Sequence, residues 1–179
     1  MIKTILIQFL SSIFLVSIAQ ASELQQFDLL MNKVSLEKSN DKKLDLLLDA
    51  ARKYNKDIQY LTQCEEILQH AVIIASQDSN LNGLSKVYNS YGVLYRNIAQ
   101  YEKALDYHQK AVNFAIKADS QTLLASAYNG IGVVYRRMDN HPKATLFHLQ
   151  GLKAAEEASD TFNISILINS LGNIYSLNV

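Results

Sequence analysis

The sequence predicts an all-α fold, an α-solenoid of helix–turn–helix repeats. Three segments have closely similar sequences: YNSYGVLY at residues 88–95, YNGIGVVY at 128–135 and INSLGNIY at 168–175. Gly92, Gly132 and Gly172 therefore recur every 40 residues. A fixed period of about 20–50 residues is typical of solenoids, in which one supersecondary unit stacks on copies of itself.

Residues 1–21 are predicted to be a signal peptide. Lys3 gives a positive start, residues 5–18 are mostly apolar, and Ala19-Gln20-Ala21 is a small-x-small cleavage pattern. The apolar run is shorter than the about 20 residues of a membrane span, although an uncleaved N-terminal anchor stays open as an alternative. Cys64 is the only cysteine. Export without an internal disulfide indicates a bacterial periplasm.

The charge balance argues against two classes of partner. The chain has 17 Lys and Arg against 17 Asp and Glu, and cleavage after Ala21 would remove only Lys3 from either set. Nucleic acids and anionic membranes both require clustered positive charge. We therefore predict no nucleic-acid binding and no membrane insertion after signal cleavage. The remaining residues suffice for one domain with a continuous core.

The repeated segment has the spacing of an α-helix. Tyr88, Tyr91, Gly92 and Tyr95 lie at i, i+3, i+4 and i+7, on one helical face. A glycine inside a helix costs about 1 kcal/mol relative to alanine, so a periodic one indicates close approach of a neighbouring helix. A second helix follows each of the first two repeated helices. The predicted arms are Leu81–Asn97, Tyr101–Lys117, Gln121–Arg137, Pro142–Ala158 and Phe162–Ser176.

These arms divide the chain into segments. Residues 22–80 are predicted to hold N-terminal helices, one of them over Glu23–Lys38, and a degenerate capping repeat in which Arg52 replaces the glycine. Residues 81–120 and 121–160 are one repeat each, and 161–179 is the first helix of an incomplete repeat. Asn140 is a predicted N-cap, with Pro142 in the first turn of its helix.

The pattern large-x-x-large-Gly-x-x-Tyr, followed by small and aromatic positions on a second helix, resembles the tetratricopeptide repeat family. The best copy consists of Tyr88, Tyr91, Gly92, Tyr95, Tyr101, Ala104, Tyr107 and Ala111. The 40-residue period is similar to that of kinesin-light-chain-like and bacterial sensor-protein repeats. The resemblance implies a right-handed superhelix whose first helices line a concave groove for a peptide or a partner protein.

Two functions follow from this resemblance. The first is an exported scaffold that binds a peptide or partner protein in its groove. The alternative is the periplasmic sensor module of a bacterial signal-transduction protein (a diguanylate cyclase, histidine kinase or transcription regulator) whose output domain is absent from this sequence.

A polar stripe on the first helices is the candidate binding site. Asparagine side chains can donate to and accept from a peptide backbone, and arginines can bind a carboxylate with two hydrogen bonds. The alternative for the same residues is that the asparagines bridge helices and the arginines are solvated. The candidate residues are Asn89, Val93, Arg96, Asn129, Val133, Arg136, Arg137, Asn169 and Asn173.

No catalytic, cofactor or metal site is predicted. His108 and His148 share a register, but neither has a second ligand at i+3 or i+4, so we expect them to pack in an aromatic slot beside Tyr107 and Phe147. Cys64 stands in a small-residue position typical of a buried hydrophobe. The last helix has no following arm, so we expect it either to fray beyond about Thr161 or to self-associate.

Overall fold

The computed structural model describes residues 25–176, and the chain divides into two units at Ser39 and Asn40. The described part of the first unit contains helix α1, at residues 25–36, which confirms the predicted N-terminal helix. The division falls inside the segment 22–80 that the sequence analysis treated as one. The predicted signal peptide, residues 1–21, lies outside the described residues.

The second unit is a succession of antiparallel helices. No strand occurs between residues 25 and 176, which confirms the all-α prediction. None of the helices in that range combines the length and the apolarity needed to cross a lipid bilayer. The helices are α2 (Asn40–Tyr54), α3 (Leu61–Gln77), α4 (Leu81–Asn97), α5 (Tyr101–Lys117), α6 (Gln121–Arg137), α7 (His141–Glu157) and α8 (Thr161–Tyr175), with a 3-10 turn at Ile58–Tyr60.

The helix bounds agree closely with the predicted arms. α4, α5 and α6 have the predicted ends, whereas α7 and α8 begin and end one residue earlier. The N-caps explain the shift. The side chain of Asn140 accepts from the N–H of Lys143 at 3.1 Å, and that of Asp160 accepts from the N–H of Asn163 at 3.0 Å. Each helix therefore begins directly after its cap, and the predicted cap at Asn140 is confirmed.

The connections from α3 to α8 share one backbone geometry. Each contains a single non-glycine residue with φ between 49° and 59°, and these residues recur every 20 positions: Ser79, Ala99, Asp119, Asp139 and Ser159. At the fourth connection the N–H of Asp139 donates to the carbonyl of Arg136 at 3.1 Å, and the N–H of Asn140 to that of Tyr135 at 2.9 Å. This is the Schellman pattern, which satisfies the last carbonyls of a helix.

Helices contact their neighbours and their next neighbours in the sequence. We call α2, α4, α6 and α8 the first arms, and α3, α5 and α7 the second arms. Each second arm packs between two first arms, and α6 also contacts α4 and α8 directly. Alanines whose side chains are fully buried bring the helices close together: Ala104, Ala111, Ala125, Ala127, Ala144 and Ala155.

Two of the three periodic glycines have the predicted packing role. A Cβ built on Gly92 would lie 2.5 Å from the ring of His108, and one built on Gly132 would lie 2.7 Å from the ring of His148. No side chain fits at either position without moving a buried imidazole. The same prediction is wrong for Gly172, where a Cβ would meet no described atom within 4 Å. The reason is that α8 is the last described helix, so no second arm covers it.

Candidate functional site

The predicted polar stripe lies on the first arms, and the structure brings its α4 and α6 parts together. The predicted stripe residues of α4 and α6 have half-buried side chains, except for Arg137, which is exposed. Asn169 and Asn173 of α8 are also exposed. The hydroxyl of Ser170 donates to Oδ1 of Asn129 at 3.4 Å, which places the asparagine position of α6 directly beside α8. We call the nine predicted residues the first-arm stripe.

Asn89 is already engaged within the protein. Its Oδ1 lies 2.7 Å from Nδ1 of His108, and because an amide oxygen only accepts, Nδ1 carries the proton. The amide group of Asn89 also borders a depression of about 140 Å³ that Lys86, Ser90 and Ser126 help to line. Asn89 therefore positions a buried histidine and contributes to the surface at the same time. The contact joins α4 to α5, which agrees with the alternative that the asparagines bridge helices. The other residues that line the depression were not predicted.

The arginines of the stripe form a cluster. Burial, and then the charges of Arg137 and Arg136, lowers the pKa of the half-buried Arg96 from 12.5 to about 10. The Nη2 of Arg96 donates to Oδ1 of Asn97 at 3.2 Å, and the Nδ2 of Asn97 donates to the carbonyl of Asn55 at 2.8 Å. These two hydrogen bonds hold the guanidinium group of Arg96, through the side chain of Asn97, to the backbone of Asn55. We call Arg96, Arg136 and Arg137 the arginine cluster.

The arginine cluster forms no ion pair within the described part of the chain. The ion pairs found between residues 25 and 176 are Arg52 with Asp49 and Lys153 with Glu157, and neither involves the cluster. The charges of Arg137 and Arg136 act on the half-buried Arg96, where like charges repel. An anion bound among the three guanidinium groups would relieve that repulsion and accept their hydrogen bonds.

The rings of His108 and His148 pack against glycines, a contact that was not predicted. Both side chains are fully buried, as expected of packing residues, but their rings lie on glycines. His108 is held between Gly92 of α4 and Gly130 of α6, and His148 lies against Gly132. A flat ring fits where a glycine removes the Cβ of the facing helix. Tyr107 and Phe147 are half-buried instead and stack on the tyrosines of their own first arms.

Burial sets the ionisation of these groups. It lowers the pKa of His108 to about 3, with a further contribution from Arg96, and that of His148 to about 4, with a further contribution from Arg136. Burial likewise raises the pKa of the Cys64 thiol to about 12, so that the thiolate is disfavoured. Within residues 25–176 no group of three or more His, Cys, Asp or Glu side chains is placed to hold a metal ion.

Comparison with known proteins identifies the repeats. Residues 84–157 match the family model of the tetratricopeptide repeat. These residues are tetratricopeptide repeats. Stacked repeats of this family offer a continuous surface to other proteins, and their fold is typically that of a non-catalytic protein-interaction scaffold. No protein with a curated description matches the chain by sequence.

Two solved structures resemble this chain in fold. BtubC (BKLC) from P. vanneervenii is 16% identical, with a TM-score of 0.64 over 87% of this chain and 67% of that protein. A Signal Transduction ATPase with Numerous Domains from Pyrococcus horikoshii, which has a tetratricopeptide repeat sensor, is 18% identical, with a TM-score of 0.65. The match covers 87% of this chain and only 25% of that protein. At these identities the likeness shows the fold alone.

Proposed function

We propose that the scaffold binds an extended, carboxylate-bearing segment of a partner protein along the first-arm stripe. The observation that carries this proposal is the arginine cluster, in which the charges of Arg136 and Arg137 act on the half-buried Arg96 and none of the three forms an ion pair with a carboxylate of residues 25–176. A side-chain carboxylate or a chain terminus of the partner would accept hydrogen bonds from two guanidinium groups at once. The half-buried Arg96 contributes most, because its surroundings screen its charge least.

The asparagines would bind the backbone of the same segment. Oδ1 of Asn89 is occupied by His108, but its NH₂ group can still donate to a peptide carbonyl. Oδ1 of Asn129 has only a 3.4 Å contact with Ser170, which a ligand can replace. Val93 and Val133 lie half-buried between these polar groups and would contact the apolar part of the segment. Such a site selects an extended, acidic segment without a strict sequence requirement.

We expect the double variant Asn129→Ala, Arg136→Ala to lose binding while its melting temperature stays nearly unchanged. Hydrogen bonds to charged groups contribute about 1.5–3 kcal/mol each, so affinity should fall at least about tenfold. Asn129 and Arg136 are half-buried and lie outside the core, where polar substitutions move stability by about 0.5 kcal/mol. The probe is a fluorescent peptide with four Glu residues, measured by anisotropy, beside the same peptide with Gln at those positions.

Lys153→Ala provides the matched control, because it removes one positive charge from a side chain that is 80% exposed and away from the stripe. This variant should bind the acidic peptide like the parent chain. Equal losses in both variants would reduce the interaction to nonspecific charge attraction. A large fall in melting temperature for the double variant would instead mark Asn129 and Arg136 as structural.

We also propose that the chain is exported to a bacterial periplasm. The support is the N-terminal pattern of residues 1–21, with Lys3 before an apolar run and a small-x-small sequence at its end. Expression of the full chain in a bacterium should yield periplasmic protein whose mass begins at Ser22. Leu10→Arg with Leu15→Arg should hold the chain in the cytoplasm. Intact Met1 in the soluble periplasmic protein would contradict the proposal.

The sensor-module alternative uses the same face. The repeats of the P. horikoshii protein are described as a sensor, and a sensor built on this fold would bind its ligand at the first-arm stripe. The two functions differ in what the bound state controls. If the chain is a sensor module, the bound segment would alter an output domain encoded in the same protein.

A further inference from the structure

The depression that Asn89 borders lies where three first arms meet. It has a volume of about 140 Å³, and α2, α4 and α6 all contribute to its wall. Leu48 and Leu123 give it an apolar part, and no acidic side chain of residues 25–176 lines it. We call it the first-arm depression. Its charged and polar donors are Arg52, Lys86, Asn89, Ser90 and Ser126.

The two cations of the first-arm depression depart from the repeat. Arg52 stands where the next two first arms have Gly92 and Gly132, and Lys86 stands where α6 has Ser126. The stacking of similar repeats therefore does not by itself account for this pair of positive charges. The pair is specific to the junction of α2 with α4.

Both cations are available to a ligand anion. The guanidinium group of Arg52 pairs with Asp49, but both side chains are exposed, and an exposed ion pair contributes little stability that a bound anion would have to replace. Lys86 forms no ion pair within residues 25–176, although Asp41 and Asp45 line a neighbouring depression that it also borders. An anion would therefore gain the charge of Lys86 and share that of Arg52 with Asp49.

Three neutral groups can donate into the same space. The NH₂ group of Asn89 keeps its two donors, because only Oδ1 of that side chain is engaged. The hydroxyl of Ser90 donates to a carbonyl of its own helix at 3.0 Å, and that of Ser126 has a 3.4 Å contact with Oδ1 of Asn163. Hydroxyl groups rotate, and a charged acceptor is stronger than either of these partners.

We propose that the first-arm depression binds a phosphate monoester. A carboxylate offers two oxygens in one plane and is matched by a single guanidinium group. A phosphoryl group carries a charge of about −1.5 to −2 and three strong acceptor oxygens. It therefore fits two cations and neutral donors that surround the space from three helices. The ester is either a phosphorylated side chain of the segment bound along the first-arm stripe or a small molecule, and the experiment below distinguishes the two sources.

A phosphorylated segment would reach the depression and the arginine cluster together. Asn89 and Arg96 are seven residues apart on α4, which is about 10 Å along the helix axis. An extended chain covers about 3.3 Å per residue, so the phosphorylated residue would stand about three residues from the carboxylate at the arginine cluster. This source rests on the proposed function, whereas binding of a small ester does not.

The test uses the full chain and two kinds of probe. The first is the fluorescent four-Glu peptide with a phosphoserine three residues before or after the glutamates, measured by anisotropy beside the same peptides with serine. The second is glycerol 3-phosphate, measured by isothermal titration calorimetry. We expect phosphoserine in one of the two positions to strengthen binding at least tenfold. Saturable binding of glycerol 3-phosphate without that gain would identify a small ester as the ligand and would also support the proposal.

The variant Arg52→Gln with Lys86→Gln should abolish either signal and keep the helical circular dichroism of the parent chain, since both side chains are exposed. Lys143→Gln with Lys153→Gln is the matched control, because it removes two positive charges from exposed positions of α7. The control should retain the tenfold gain from phosphoserine, or the binding of glycerol 3-phosphate.

Two results would overturn the proposal. In the first, phosphoserine strengthens binding in neither position and glycerol 3-phosphate does not bind. In the second, the control variant loses as much as the variant of the depression, which would reduce the effect to nonspecific charge attraction. The proposed function is tested separately, because Asn129→Ala with Arg136→Ala should weaken the serine peptides and leave the binding of glycerol 3-phosphate unchanged.

Discussion

The free energy of unfolding should fall by about 4 kcal/mol between pH 7 and pH 5, about 2 kcal/mol for each of two buried histidines. In the folded chain the pKa of His108 is about 3 and that of His148 about 4, whereas both lie near 6.5 after unfolding. The stability from keeping these rings neutral is present above pH 6.5 and is lost as the pH falls toward the folded-state values. Urea denaturation followed by circular dichroism measures the effect.

This pH window isolates the histidines from the carboxyl groups. Ordinary Asp and Glu titrate near pH 4, and the hydrogen bonds from Asn163 hold the pKa of Asp160 lower still. His108→Gln is the control. Its stability at pH 7 can differ from that of the parent chain, but about half of the decrease in unfolding free energy between pH 7 and pH 5 should disappear. Equal unfolding free energies at pH 5 and pH 7 would contradict the burial of neutral imidazoles, and so would an unchanged decrease in both His108→Gln and His148→Gln.

Gly132→Leu should destabilise the chain by about 1–3 kcal/mol, whereas Gly172→Leu should leave it as stable or raise its stability by up to about 1 kcal/mol. Both changes improve helix propensity equally. They differ because a side chain at Gly132 collides with the buried ring of His148, and one at Gly172 points into open space. Thermal unfolding of the two variants beside the parent chain measures the difference.

The comparison carries its own control, since the two glycines have the same place in the repeat. If both variants lose stability, a neighbour of Gly172 must exist that the described residues do not show. If both variants gain stability, the ring of His148 can move aside at no cost in free energy, and Gly132 has no packing role.

The sequence was sufficient for features that depend on local pattern. Helix ends followed from caps such as Asn140 and from polar breaks, and three predicted arms have the observed ends. The close approach at Gly92 and Gly132 followed from the cost of a mid-helix glycine. The failure at Gly172 has a different origin, because its contact depends on a helix that would have to follow α8.

Features that depend on a specific partner could not be predicted. The asparagine column left open a binding surface or bridges between helices, because whether Oδ1 of Asn89 faces solvent or His108 depends on how α4 and α5 pack. The left-handed connections gave no signal either, since Ser79, Ala99 and Asp119 are not the glycines that usually mark such positions. The sequence predicted the three arginines only as positions of one stripe. That they form no ion pair within residues 25–176 is visible only in the folded structure.

The shared connection geometry bears on how a chain of this kind can change length. Ala99 and Asp139 adopt the same left-handed conformation at the same point of successive repeats. Deletion of residues 100–139 would join Ala99 to the N-cap Asn140 and bring the His148 ring over Gly92, so every backbone angle at the new junction already exists in the chain. A deletion longer or shorter by one residue would turn the following helix by about 100° about its axis and send its buried side outward. Recombination can therefore add or remove whole repeats without new structure. Few insertions or deletions of other lengths would leave the buried side of the following helix in place.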